Sequence, residues 1–134
     1  MIKRALISVW NKEGIVELSN FLVNHNIELI STGGTANHLK ENNINITPVS
    51  KITGMDSVMD GRLKTLNPKI LGGILADKEN QSHLNTLKMM QTETIDLIIV
   101  NLYPFVNEAV KNNLSMDKVI EYIDIGGPSM LRAA

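Results

Sequence analysis

An α/β domain on a central, mostly parallel sheet is the fold this sequence predicts, and two features carry that prediction. Short runs rich in Val, Ile and Leu alternate with segments whose apolar residues recur at helical spacing, the order imposed by strand–helix–strand units. One run, Asp96 to Leu102 (DLIIVNL), is apolar on both faces, as central parallel strands are. With 134 residues, 43% hydrophobic and 20% charged, the chain has the size and apolar content of one domain with a core of its own.

In chain order, Arg4 to Trp10 reads as a buried strand. Gly14 to His25 places Ile15, Val16, Leu18, Phe21, Leu22 and Val23 at helical spacing. Ile27 to Ile30 is a second strand, and Thr35 to Glu41 a helix with Thr35 as its N-cap. Ile44 to Val49, with its β-branched residues, is a third strand. Lys51 to Gly73 lacks a clean period and reads as loop with a short element near Ile70. Gln81 to Gln91 is helical, Asp96 to Leu102 is the fourth strand, and Phe105 to Lys111 and Ser115 to Ile123 are helices. Pro128, suited to a first helical turn, opens a last helix that runs to Ala134.

Composition excludes several functions. The net charge of −1 gives no basic surface for nucleic acid, and there is no cysteine for disulfides or thiolate zinc sites. His25, His38 and His83 are scattered without ligand spacing, so no metal site is expected. Asn11, Lys12 and Glu13 close the first apolar run too early for a secretory signal, and no segment has the length of a membrane span. A cytoplasmic domain without membrane or nucleic-acid partners is the expectation.

In open parallel sheets, ligands bind beyond the carboxyl ends of the strands. The segments that follow the strands are Trp10-Asn11-Lys12, Ser31-Thr32-Gly33-Gly34-Thr35 and Asn101-Leu102-Tyr103-Pro104, which should share one rim. Gly33 and Gly34 let the backbone turn sharply and expose N–H groups at a helix start, with the Ser31, Thr32 and Thr35 hydroxyls as further donors: an anion site, most simply for phosphate. A plain tight turn with an N-cap explains the same residues. Arg62, Lys64 and Thr65 cluster in a glycine- and proline-flanked segment, as a phosphate-binding group or as a solvated basic loop. Asn101 and Tyr103 bring an amide and a phenol to the rim, for a base edge or an oxyanion, unless Tyr103 only packs. Asp124 precedes Gly126, Gly127 and Pro128, as a carboxylate beside a second anion-style turn or simply as a helix cap.

The ordered segments SVWNKEGI, STGGTA, GRLKTLNPKILGGILA, NLYPF and IDIGGPSMLRAA cover the chain from end to end. In these the sequence resembles the N-terminal IMP cyclohydrolase domain of the bifunctional purine-biosynthesis family PurH. The wider fold is similar to methylglyoxal synthase: a three-layer, Rossmann-like α/β domain. The resemblance implies ring closure of formyl-AICAR to IMP with loss of water, without cofactor or metal. It implies nucleotide contacts from Trp10, Asn11, Lys12, Thr32, Gly33, Gly34, Thr35, Arg62, Leu63, Thr65, Asn101, Leu102, Ile125 and Gly126, with Lys64, Tyr103 and Asp124 as the catalytic group. In this scheme the Thr32–Thr35 turn, Lys12 and Arg62 hold the phosphate, while Lys64 and Thr65 reach the reacting end. The family's full-length proteins add an AICAR formyltransferase domain that uses 10-formyltetrahydrofolate, and are expected to be homodimers.

Two departures stand out. Asn67 and Leu71 replace histidines of the family's usual KTLHPKIHGGIL. The family also continues past LRAA with AKN, whose lysine is a proton-transfer candidate. The expectation is therefore a piece of a longer protein, weak or inactive alone. Two other functions fit the same fold. One is a non-catalytic regulatory module for phosphorylated ligands. The other is a methylglyoxal-synthase-like lyase, which needs a carboxylate base by the phosphate and histidine support that this rim lacks.

Overall fold

The computed structural model describes residues 1–134. Four parallel strands, β1 (Arg4–Val9), β2 (Glu28–Ser31), β3 (Thr47–Pro48) and β4 (Leu97–Asn101), lie in the order β3-β2-β1-β4. Every pairing is parallel, with Leu6 opposite Ile30 on one side and Ile98 on the other. The helices are α1 (Ile15–Asn24), α2 (Gly33–Glu41), α3 (Val49–Thr53), α4 (Pro68–Leu75), α5 (Gln81–Met89), α6 (Met116–Ile120) and α7 (Gly126–Ala133).

The alternation of β1 builds the three layers. Ala5, Ile7 and Val9 point to one face, where they meet Ile15 and Leu22 of α1 and Ala36 and Leu39 of α2. Leu6 points to the other face and joins Ile30, Val49, Ile70, Ile95 and Met130, which brings α3, α4 and α7 against the sheet. Leu6, Ile7, Ile30 and Leu39 have no exposed surface, so β1 and its neighbours form the centre of both cores.

Several elements differ from the sequence expectations. The third strand has only Thr47 and Pro48 in register with Ile30 and Ser31, because Pro48 brings no N–H to the ladder and α3 starts directly after it. Ile44 and Ile46 are nevertheless buried, so the apolar signal reported core burial rather than pairing. The segment 51–73 is not mostly loop: α3 occupies its start and α4 its end. Asn67 caps α4, its side chain accepting from the Lys69 N–H at 2.9 Å, and Pro68 follows at the first helical position. Gly73 disguised this helix, yet is needed there. A Cβ on it would stand 2.7 Å from the Glu93 carbonyl oxygen, where α4 presses on the strand-entry segment before β4. The stretch Phe105 to Lys111 is a π-helical turn at Val106–Val110, α6 is shorter than expected, and α7 begins at Gly126, ahead of Pro128. Thr35 is not the N-cap of α2; Thr32 holds that position in extended conformation.

At the amino ends of the strands, away from the loops that follow them, Asp96 fastens β4 to β1. Its carboxylate accepts from the N–H groups of Lys3 (2.6 Å) and Arg4 (3.0 Å) and pairs with the Lys78 ammonium at 2.5 Å. Burial pushes its pKa up, but the Lys78 hydrogen bond, the two backbone donors and the Lys78 charge outweigh burial and lower it from 3.8 to about 2. A carboxyl group with a depressed folded pKa stabilises the fold above its unfolded value and loses that contribution as pH falls through the folded one. A loss of about 2 kcal/mol between pH 4 and pH 2 is expected. Asp96→Asn should show a similar deficit at pH 7 and a flatter acid limb in urea titrations.

Candidate active site

The carboxyl ends of β1, β2 and β4 open on one cavity of about 440 Å³. Trp10 and Lys12 enter it from behind β1, Thr32 to Thr35 from behind β2, and Asn101 and Tyr103 from the end of β4. The opposite wall comes from Asp60 to Thr65 and from Ile120 through Met130. Of the residues expected at the site, the structure gathers all but Asn11, Ser31, Leu63 and Leu102 around this space.

The turn after β2 is built for exposing donors. Thr32 is extended (φ −148°), Gly33 turns left-handed (φ +56°) and α2 begins at once. Thr32 makes no side-chain cap, and the N–H groups of Gly33, Gly34 and Thr35 find no acceptor in the helix or the surrounding loops. Two ammonium groups flank them. A Cβ on Gly33 would lie 3.3 Å from Lys64 Nζ, and one on Gly34 would lie 3.9 Å from Lys12 Nζ. Lys12 is steadied by donating to the Trp10 carbonyl at 3.1 Å. Free N–H groups, a helix start and two cations are thus brought together at one corner of the cavity, the combination that suits an anion.

Two of the hydroxyls expected as anion donors are committed elsewhere. Ser31 is fully buried and donates to the Ile7 carbonyl at 2.8 Å. Thr35 donates to the Val9 carbonyl (2.9 Å) and accepts from the Val9 N–H (3.1 Å), so its side chain joins α2 to β1 and leaves only its own N–H for the cavity. Buried hydroxyls take the nearest backbone partners, because an unpaired one costs about 1–3 kcal/mol.

Asn101 likewise works on its neighbours. Its carbonyl oxygen accepts from the N–H groups of Trp10 (2.6 Å) and Asn11 (3.0 Å), and its amide donates to the Asn11 carbonyl (2.8 Å). It thereby clips the loop after β1 to the end of β4. Asn11 itself accepts from the Glu13 N–H, which explains why it shapes the loop without lining the cavity. Leu102 sits against α7, where a Cβ on Gly127 would meet it at 2.6 Å. Tyr103 stacks edge-on with Tyr122, ring centres 6.1 Å apart, and its hydroxyl makes no hydrogen bond within the protein.

Across the cavity, a left-handed turn at Met59, Asp60 and Gly61 (φ 51°, 54° and 89°) aims Arg62 and Lys64 inward. Arg62, the residue the resemblance assigns to phosphate, pairs through its guanidinium with Glu121 and lies 4.0 Å from Asp60. Thr65 is buried with its hydroxyl 3.0 Å from where a Gly126 Cβ would be. Asp124 accepts from the Gly127 N–H at 2.9 Å, the helix-capping role weighed above, and also lines the cavity together with Ile125 and Gly126. Asn67 and Leu71, the two departures from the family pattern, lie outside the cavity wall.

Sequence reasoning missed Ser8, Asp60, Glu121 and Ile123 in the lining. Ser8 had a readable signal, an inward polar residue near a strand end. Asp60 and Glu121 had none, since each is an ordinary surface carboxylate until the fold sets it beside Arg62. No group of three His, Asp or Glu side chains is placed to hold a metal ion. His83 accepts from the Asp77 N–H and His25 bonds to the Phe21 carbonyl, both structural roles. No helix is long and apolar enough to cross a membrane.

Comparison with known proteins agrees with this fold. A family model described as the MGS-like domain matches residues 14–129. The bifunctional purine biosynthesis protein PurH of Fusobacterium nucleatum is 58% identical over all 134 residues, that of Clostridium acetobutylicum 55%, and that of Clostridium kluyveri 54%. The chain spans only 26–27% of the length of these relatives. A crystal structure of ForH, 29% identical, superimposes on the whole chain with a TM-score of 0.82, covering 68% of that structure's chain. With its family model spanning most of its length and whole-chain identities above one half to PurH proteins, the chain belongs to the MGS-like domain family.

Proposed function

We propose that this chain is an IMP cyclohydrolase domain, acting on formyl-AICAR as part of a bifunctional purine-biosynthesis protein. The observation that carries the reading is that one cavity gathers the free N–H groups of Gly33 to Thr35, Lys12 and Lys64 together with Asp124 and the unpartnered Tyr103 hydroxyl. A substrate that carries both a phosphate and exchangeable N–H and C=O groups fits that set. The names of the PurH relatives support the same assignment.

In the reaction, the carboxamide nitrogen bonds to the formyl carbon of the same molecule, a hemiaminal forms, and its oxygen leaves as water. Both reacting groups belong to one substrate, so holding it in the cyclising conformation supplies much of the rate. The remaining tasks are moving protons and stabilising the hemiaminal oxygen. Lys12 and the Gly33–Thr35 N–H groups hold the phosphate. Lys64 and Thr65 reach the oxygen that gains charge, and Tyr103 and Asp124 orient the ring and exchange protons. Asp124 is suited to this because one carboxylate oxygen is anchored by Gly127 while the other makes no hydrogen bond. The reaction calls for no metal and no cofactor; 10-formyltetrahydrofolate would serve only the formyltransferase of a longer protein.

Addition of formyl-AICAR to the bifunctional protein that carries this domain is expected to give IMP, followed by its absorbance. Binding of IMP without turnover would instead mark a non-catalytic ligand module, and methylglyoxal from dihydroxyacetone phosphate would mark a lyase. Crystals soaked in IMP should show the 5′-phosphate on the Gly33, Gly34 and Thr35 N–H groups; a phosphate lodged elsewhere rejects that placement. Lys64→Ala is expected to lower kcat by about 10²-fold with little change in KM, the mark of a contact made in the transition state. A raised KM at unchanged kcat would move Lys64 to the phosphate, which its place beside Gly33 also allows.

A further inference from the structure

Three carboxylates line a cavity that otherwise presents cations: Asp60, Glu121 and Asp124 stand beside Lys12, Arg62 and Lys64. Asp124 is accounted for by the start of α7. The other two converge on a single guanidinium, Glu121 on Nη2 and Asp60 4.0 Å from Nη1. Glu121 follows the last residue of α6, where a carboxylate meets carbonyl ends rather than N–H groups, so helix capping does not explain it. Arg62 is aimed at it by the Met59–Asp60 turn, two non-glycine residues at positive φ, a conformation that persists only where the surroundings impose it. The pair thus joins the loop before α4 to the end of α6 across the cavity wall. Its side chains are 53% and 56% exposed, and an ion pair that open is weak enough for an incoming ligand to displace.

We propose that Glu121 sets the anion selectivity of this cavity: it holds Arg62, and a ligand must take Arg62 from it. A singly charged carboxylate offers the guanidinium no more than Glu121 already does. A phosphate dianion offers more charge and a third oxygen, and so gains from the exchange. The cavity thereby favours phosphorylated ligands over carboxylates. This inference rests on the phosphorylated-ligand reading of the site, though not on the ring-closure chemistry.

Trp10, the single tryptophan, lines the cavity and can report binding by fluorescence. Inorganic phosphate at pH 8, acetate and IMP are titrated into the chain and into Glu121→Gln, Glu121→Asp, Arg62→Gln and the Arg62→Gln/Glu121→Gln double variant. Glu121→Gln is expected to tighten phosphate about two- to fivefold, the factor equal to about 0.4–1 kcal/mol, and to narrow the preference for phosphate over acetate. Glu121→Asp keeps the charge but draws it back by one methylene, and should behave like Glu121→Gln. With Arg62 already Gln, removing the Glu121 charge should change nothing. An unchanged or weaker phosphate affinity in Glu121→Gln overturns the proposal, as does the same gain without Arg62, or no phosphate binding by any form. IMP failing to bind while phosphate shows the Glu121→Gln gain would reject the nucleotide reading and keep this one. Equal IMP and phosphate affinities in the chain and in Glu121→Gln would do the reverse.

Discussion

The site depends on how the carboxyl end of β1 is held. Val9, the last residue of that central strand, gives both its N–H and its carbonyl to the Thr35 hydroxyl, so the first turn of α2 is fixed against the sheet. The N–H groups of Gly33 and Gly34 then have one direction left, into the cavity. On the other flank, Asn101 ties the residues after Val9 to the end of β4 with three hydrogen bonds. Each such bond contributes only about 1 kcal/mol net, but in the buried Val9–Thr35 pair losing a partner strands a polar group at about 1–3 kcal/mol. The consequence is geometric: three rim loops that carry chemistry are joined through one strand end, and none can shift without leaving a donor or acceptor unpaired.

That arrangement also explains what could be read before the fold was known. The alternation of strands and helices was legible because it is a matter of period, and the two faces of β1 separate cleanly into Ala5, Ile7 and Val9 against Leu6. The extent of β3 was not legible. Ile44 and Ile46 look like a strand because they are buried, whereas pairing is cut short by a missing N–H at Pro48. Helix α4 was hidden by Gly72 and Gly73, whose propensity argues for loop; close packing on Glu93 overrides propensity at Gly73. The Asn67-Pro68 start signal was present in the sequence and outweighed by those glycines.

The site followed the same rule. Residue types at strand ends pointed to the rim where the cavity lies, because the topology of a parallel sheet dictates where its loops open. Which atoms remain available at that rim was beyond the sequence. Ser31 and Thr35 look like anion donors, and burial turns both inward to backbone partners. Asp124 looks like either a cap or an acid, and the structure shows the capping bond with a second oxygen left over. Arg62 looks free, and Glu121, 59 residues away in the chain, takes it.

Charge completes the picture. Three cations and three carboxylates around one cavity would cancel if they were evenly mixed, and an even mixture would attract no ion. They are not evenly mixed. Lys12 and Lys64 stand with the bare N–H groups of α2, Asp124 stands at α7, and Arg62 is taken up by Glu121 and Asp60. On the proposed function, charges placed in this way would orient the substrate before contact, with its anionic end toward α2 and its proton-bearing end toward Asp124. For a reaction whose two partners sit on one molecule, orientation is the larger part of the catalytic task. The Arg62–Glu121 pair that crosses this cavity is half exposed on both sides, so it is a weaker link than the buried Val9–Thr35 bonds that fix α2.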